Sequence, residues 1–289
     1  SDGSDGSDGS DGSDGSDGSD GGDVQMGGTL RIAGVATLPT VDPHYMGNYF
    51  ALSPIRNITD TLYEMNQDTT LSPLLAKDME ISDDGLTWTL TLKEGVQFHP
   101  PTSRELVAED IVWNFDRIMA ADALNKTAIA GLGDWSAEGD YTVVFEFENV
   151  NSAAFPLMGT NGAAPILSPD ATEGMDTKTT EPVGTGPFTF EEWVERDRLV
   201  MTKFDDYWEA EDKPYVDEVV WRNIPEESTE ITELTTGTPG VDMIWQPPQE
   251  EITSLQNTNG VTVPQKFDFR YPTVDKNPSD EAMGDRGAE

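Results

Sequence analysis

Apolar and polar positions alternate most regularly where Leu86, Trp88, Leu90 and Leu92 are separated by Thr87, Thr89 and Thr91. A period of two places these four apolar side chains on one face of a strand, and the Ser82-Asp83-Asp84-Gly85 turn signal pairs that strand with one through Met79 and Ile81. The period then changes. Val107, Ile111, Phe115 and Ile118 recur at steps of four, four and three, with Thr102 and Glu105 at capping-box spacing, which predicts an amphipathic helix over about 103–120. A second hairpin strand runs through Tyr141, Val143, Phe145 and Phe147 after the Glu138-Gly139-Asp140 turn, and a third hairpin covers 186–194 and 199–204 around Arg196-Asp197. A short strand is predicted at 28–33 and another at 219–221, and Asp42-Pro43 interrupts the chain before a helix over about 51–65. From Glu226 a helix, a strand at 241–245, a helix from about Gln249 and a strand at 261–269 alternate, so the C-terminal part reads as α/β.

Composition bounds the possibilities. The 289 residues carry 55 acids against 17 bases, a formal charge of −38, and no cysteine, which excludes disulfides, thiolate metal sites and thiol catalysis. The 7 Trp, 11 Phe and 7 Tyr supply a core, and no apolar run reaches the ~18 residues of a membrane span. Residues 1–23 repeat Ser-Asp-Gly and offer nothing to bury, so 1–26 is expected to be a disordered, self-repelling tether, with an export or anchoring segment upstream. The remaining 266 residues keep a net charge of −30. Acidity is therefore a property of the folded part. It argues against nucleic acid or anionic lipid as partner, because phosphates are met by Lys and Arg, and it fits adaptation to high salt.

The search for reactive motifs is mostly negative. No Gly-Lys pair forms a phosphate-binding loop, and Gly184-Thr185-Gly186 is followed by Pro187 rather than by a helix start. His44 and His99 stand far apart without a metal-ligand neighbour at helical spacing, so neither a metal site nor a cofactor is expected. Asn57 and Asn125 begin acceptor patterns for N-glycosylation.

Several segments in order resemble the substrate-binding components of peptide, dipeptide and nickel-type ABC importers. They are GTLRIA from Gly28, followed by Asp42-Pro43; LLA from Leu74; DGLTWTLTLK from Asp84; GVQFH from Gly95; and AED from Ala108. The series continues with DYTV from Asp140, PVGTGPF from Pro182 and DYW from Asp206. The resemblance implies a mixed α/β, periplasmic-binding-protein-like lobe and no enzymatic activity. By analogy, 27–56 and 182–270 would form a mixed sheet domain, and 57–181 an inserted hairpin-rich subdomain. The second lobe would be missing from the chain, with 271–289 as its start or a disordered tail. The implied partners are a peptide or similar small solute, captured outside the cell, and membrane permease subunits that receive it. Candidate ligand contacts are Tyr45, Met46, Asn48 and Tyr49 after Asp42-Pro43, Thr160 and Asn161 before Ala164, and Trp245 with Gln246 after the predicted strand. Aromatic rings would form apolar walls, and Asn and Gln would pair with ligand carbonyls. Gly184 and Gly186 are assigned to tight backbone geometry. Two other readings stay open: a secreted glycan hydrolase with a carboxylate pair near Trp245 and Tyr49, and a tethered surface adhesion module.

Overall fold

The computed structural model describes residues 26–34, 37–46, 49–66, 70–120, 123, 126–152, 154, 164–175, 181–209, 213–237 and 240–263. Two sheets organise them. The first contains β1 (Thr29–Gly34), β8 (Phe188–Val194), β9 (Arg198–Lys203), β10 (Glu218–Asn223) and β11 (Met243–Ile244), in the order β11-β1-β10-β9-β8. Strand β1 is parallel to both β10 and β11, whereas β10-β9 and β9-β8 are antiparallel. The sheet is mixed because a hairpin is joined to a βαβ unit whose helix is Glu227–Thr236.

The second sheet, β4-β5-β7-β6, is an antiparallel array of β4 (Ala76–Ile81), β5 (Thr87–Leu92), β6 (Asp134–Ala137) and β7 (Thr142–Glu146). Trp88, Leu90 and Leu92 point into its core, as the alternation requires, and the threonines between them are half-buried. Helix Ala108–Ala120 covers this sheet with Ile111, Phe115 and Ile118, all at most 1% exposed. A small ribbon pairs β2 (Tyr63–Met65) with β3 (Leu71–Pro73). Each large sheet has its own apolar cluster. One is drawn from residues between Leu62 and Ile166, the other from Leu30 to Ile58 and Phe188 to Trp245.

Three sequence expectations need correction. The helix predicted over 51–65 spans only Tyr49–Ile55, and Tyr63–Met65 is a strand. The chain leaves the helix because Asn57 and Ile58 offer their carbonyls to Phe188 N–H (2.9 Å) and Gly186 N–H (3.0 Å), a tertiary pairing that local periodicity does not contain. The helix predicted from 103 starts at Ala108. Thr102 does not act as its cap: its hydroxyl bonds Ser168 Oγ at 2.7 Å, while Glu105 accepts from Gly95 N–H and Tyr141 O–H. Asp110 instead accepts Val107 N–H at 2.9 Å and is clamped by both terminal nitrogens of Arg104 at 2.8 and 2.7 Å. The strand predicted at 261–269 lies outside the described residues from 264 onward, and 261–263 carry no strand.

Glycines 184 and 186 are needed for proximity. A Cβ on Gly184 would lie 2.2 Å from Ile58 O, and one on Gly186 2.6 Å from Asn57 O. The run from 183 to 186 is thus pressed flat against 57–59 where the two large units meet.

Candidate functional site

The seam between the two units is polar and buried. Asp42, fully buried, receives two hydrogen bonds from Arg117, at 3.1 and 2.6 Å, across from helix Ala108–Ala120. Arg117 also donates to His44 Nδ1 (2.6 Å), and His44 Nε2 donates to Pro165 O (2.8 Å). This arrangement fixes a neutral ring, and burial with the adjacent Arg117 lowers the His44 pKa to about 4. His99 repeats the pattern. Its Nε2 donates to Gly186 O at 2.8 Å, its Nδ1 faces Gly184 N–H at 3.4 Å, and burial lowers its pKa to about 4. Both histidines therefore act as neutral clamps. Asp60 completes the seam by accepting from Thr185 Oγ1 (2.9 Å) and Trp208 Nε1 (3.2 Å). Among the described residues, no group of three or more His, Asp or Glu is placed to hold a metal ion. Asn57 is 4% exposed and donates to Pro54 O, so its acceptor pattern serves a helix end.

Two regions adjoin this seam. The first is the carboxyl edge of the parallel strands, where β1 lies between β10 and β11 and the β10-to-β11 connection crosses it. Open α/β sheets offer a crevice at such a switch point. Trp245 N–H donates to Ala33 O (2.7 Å), and the Trp245 ring packs 5.7 Å from Trp221 at 57°, which leaves it 8% exposed. Gln246, directly after it, is exposed and has φ +63. Thr37 Oγ1 donates to Asn223 Oδ1 (3.3 Å), and Asn223 Nδ2 donates to Gly34 O (3.3 Å), so the loop after β1 is tied to the end of β10. Sequence reasoning missed Thr37 and Asn223. The available signal was their position, Thr37 shortly after β1 and Asn223 at the last residue of β10, but only the parallel pairing of β1 with β10 brings them together.

The second region is a cavity of about 340 Å3 on the seam, lined by Tyr45, Trp113, Asp116, Arg117, Thr172 and Glu173 among others. Tyr45 is half-buried here, with the Arg117 guanidinium 5.5 Å from its ring centre.

The other sequence candidates fall elsewhere. Met46 is 1% exposed and sits in the apolar cluster of the five-stranded sheet, so its side chain presents no surface. Tyr49 opens the helix Tyr49–Ile55. Asn48, Thr160 and Asn161 lie outside the described residues. A carboxylate of raised pKa, Glu230, is pushed up to about 7 by burial and by Glu227, but it is 1% exposed inside the helix Glu227–Thr236 and closed to a glycan. The hydrolase reading is not favoured.

Residues 70–286 match the family model described as bacterial extracellular solute-binding proteins, family 5 Middle. The chain belongs to this family. Curated relatives within reach include the glutathione-binding protein GsiB of Pectobacterium atrosepticum, 30% identical over 214 residues, which covers 71% of this chain and 40% of the relative. GsiB of Escherichia coli K12 is 26% identical over 235 residues, covering 80% and 44%. Among solved structures, the periplasmic binding protein DppA from Helicobacter pylori, in complex with the peptide STSA, is similar with a TM-score of 0.72 and 29% identity, covering 82% of this chain and 50% of that one. A nickel ABC transporter protein from Bacillus halodurans shares the fold at TM-score 0.67 and 23% identity, covering 80% and 46%. This family 5 chain thus spans about two-fifths of the length of the curated relatives it matches.

Proposed function

We propose that this family 5 chain forms one wall of the substrate-binding component of an ABC importer, working outside the cell. It would hold a peptide or similar small solute for delivery to a membrane permease and would act by binding alone, without a cofactor. The observation that carries this reading is the fold likeness, at 29% identity, to a relative solved with a bound tetrapeptide. The carboxyl edge of β1, β10 and β11 supports it. There Gln246, next in sequence to the buried Trp245, and Asn223 and Thr37 offer amide and hydroxyl groups suited to peptide carbonyls and N–H groups. Tyr49 and Asn48, which follow Asp42-Pro43 in the sequence, belong to the same proposal. The acidic surface fits work in concentrated salt.

The test is a thermal melt in molar salt with glutathione and a pool of di- to hexapeptides. A ligand at about 100 times its Kd adds ~2.7 kcal/mol to the folded state. The expected result is an upward shift that disappears in Gln246→Ala and Thr37→Ala, while the ligand-free melt of each variant stays near that of the parent. A cooperative melt that no peptide moves would count against placing the binding determinants on this wall.

A further inference from the structure

We propose that the seam cavity beside Tyr45 is a second binding site, for a small organic cation of the quaternary ammonium class. It shares no lining residue with the strand edge described above and does not depend on the transport reading. Its volume of about 340 Å3 lies within the range of small-ligand pockets.

Three observations converge on a cation. Thr172 lines the cavity and is 1% exposed, and its Oγ1 has no hydrogen-bond partner among the described residues. A buried hydroxyl left unpaired carries the full cost of its desolvation, so a polar group entering the cavity would satisfy a standing need. The charge balance then sets the sign. Arg117 is neutralised by Asp42 at 2.6 Å, which leaves Asp116 and Glu173, both exposed, as the uncompensated charges of the lining. An anion would be repelled there.

The rings decide the type of cation. The Arg117 guanidinium already stands 5.5 Å from the centre of Tyr45 and 5.8 Å from that of Trp113, so these π-systems hold positive charge in place. A compact ammonium would stay better hydrated in bulk water. A quaternary ammonium sheds little hydration, and its methyl groups would gain contact with the Trp113 ring and with Met175, which is 50% exposed at the cavity. A hydroxyl carried on a short arm would give Thr172 its partner. Choline combines these features and is the probe to use.

The experiment is calorimetric titration of the whole chain with choline in molar sodium chloride, where salt screens loose attraction to the acidic surface. A parallel titration uses 3,3-dimethyl-1-butanol, the uncharged isostere. Saturable choline binding is expected, weaker by about tenfold or more for the isostere and for Trp113→Leu. Thr172→Val removes only an unpaired hydroxyl, so it should melt no lower than the parent while binding choline several-fold more weakly. Glu173→Gln tests the charge without touching the core and should also weaken binding. No saturable heat overturns the proposal, as does equal affinity for the isostere. Unchanged binding in both Trp113→Leu and Glu173→Gln would place choline elsewhere and overturn it too.

Discussion

Replacing Arg117 by Met tests whether the buried pair with Asp42 locks helix Ala108–Ala120 to the segment that follows β1. Asp42 is 0% exposed and takes two of Arg117's hydrogen bonds, at 3.1 and 2.6 Å, while the same guanidinium donates to His44. Removing one member of a buried pair leaves the other charge unsolvated, a loss of about 3–5 kcal/mol. For a chain of this size, each kcal/mol moves the melting temperature by about 2–4 °C, so a drop of roughly 10 °C is expected. Asp42→Asn should cost less, because the guanidinium is 14% exposed and can turn its end toward water. The double variant Asp42→Asn/Arg117→Met should lose at least about 1 kcal/mol less than the sum of the two singles. The assay is urea and thermal unfolding in about 0.1 M and about 1 M salt. Screening at the higher concentration acts over ~3 Å through solvent and reaches a dry pair poorly. The exposed pair Arg198–Glu192 contributes little under either condition. A loss below about 1 kcal/mol, strict additivity, or disappearance of the coupling in the higher salt would refute a buried lock.

Stability should also depend on pH in two opposite ways. His44 and His99 have folded pKa values of about 4 against 6.5, so the unfolded chain takes up protons first, and their contribution, complete above pH 6.5, is lost as pH falls toward 4. His44→Gln and His99→Gln should each lose less stability than the parent between pH 7 and pH 4.5, and a limb as steep as the parent's in both would refute the assignment. Glu230 works in reverse: with its pKa raised from 4.5 to about 7, it favours the fold in acid and penalises it as pH rises through 7. Glu230→Gln should therefore raise the melting temperature at pH 8 more than at pH 4.5, and an equal effect at both refutes burial as the cause. Gly184→Ala forces a Cβ to within 2.2 Å of Ile58 O, and separating the two segments would break Gly186 N–H to Ile58 O (3.0 Å). Overpacking of about 1–3 kcal/mol plus a hydrogen bond of about 1 kcal/mol gives an expected loss of some 2–4 kcal/mol by denaturant unfolding, and a neutral effect would show that the seam is loose.

Periodicity was legible wherever one face of an element meets a core and the other meets water. Leu90 and Leu92 on β5, and Ile111, Phe115 and Ile118 on the covering helix, are buried as their spacing requires. It failed where a distant partner overrides local preference. Ile58 lies within the span that reads as helix, yet its carbonyl is taken by Gly186 N–H, more than a hundred positions away. The exposure of the candidate residues was legible in part. Gln246 is exposed beside the sheet, but Met46, drawn from the same kind of loop, is core, because burial of a loop side chain depends on what folds over it. Thr172, Asn223 and Thr37 carry no motif at all; their significance comes from strand order and from a missing hydrogen-bond partner, neither of which a linear pattern records.

The placement of β1 inside its sheet, between β11 and β10, also sets an order of events. Thr29 pairs across 189 residues with Glu218, and the other neighbour of β1 is later still, at Met243–Ile244. During synthesis the first strand waits with both edges open while the whole β4–β7 array, whose partners are far nearer in sequence, is made and closed. The carboxyl edge of β1, β10 and β11 comes into being only once Met243–Ile244 has been made, so a copy that stops before β10 holds the β4–β7 array but leaves β1 with two open edges that other chains can pair with.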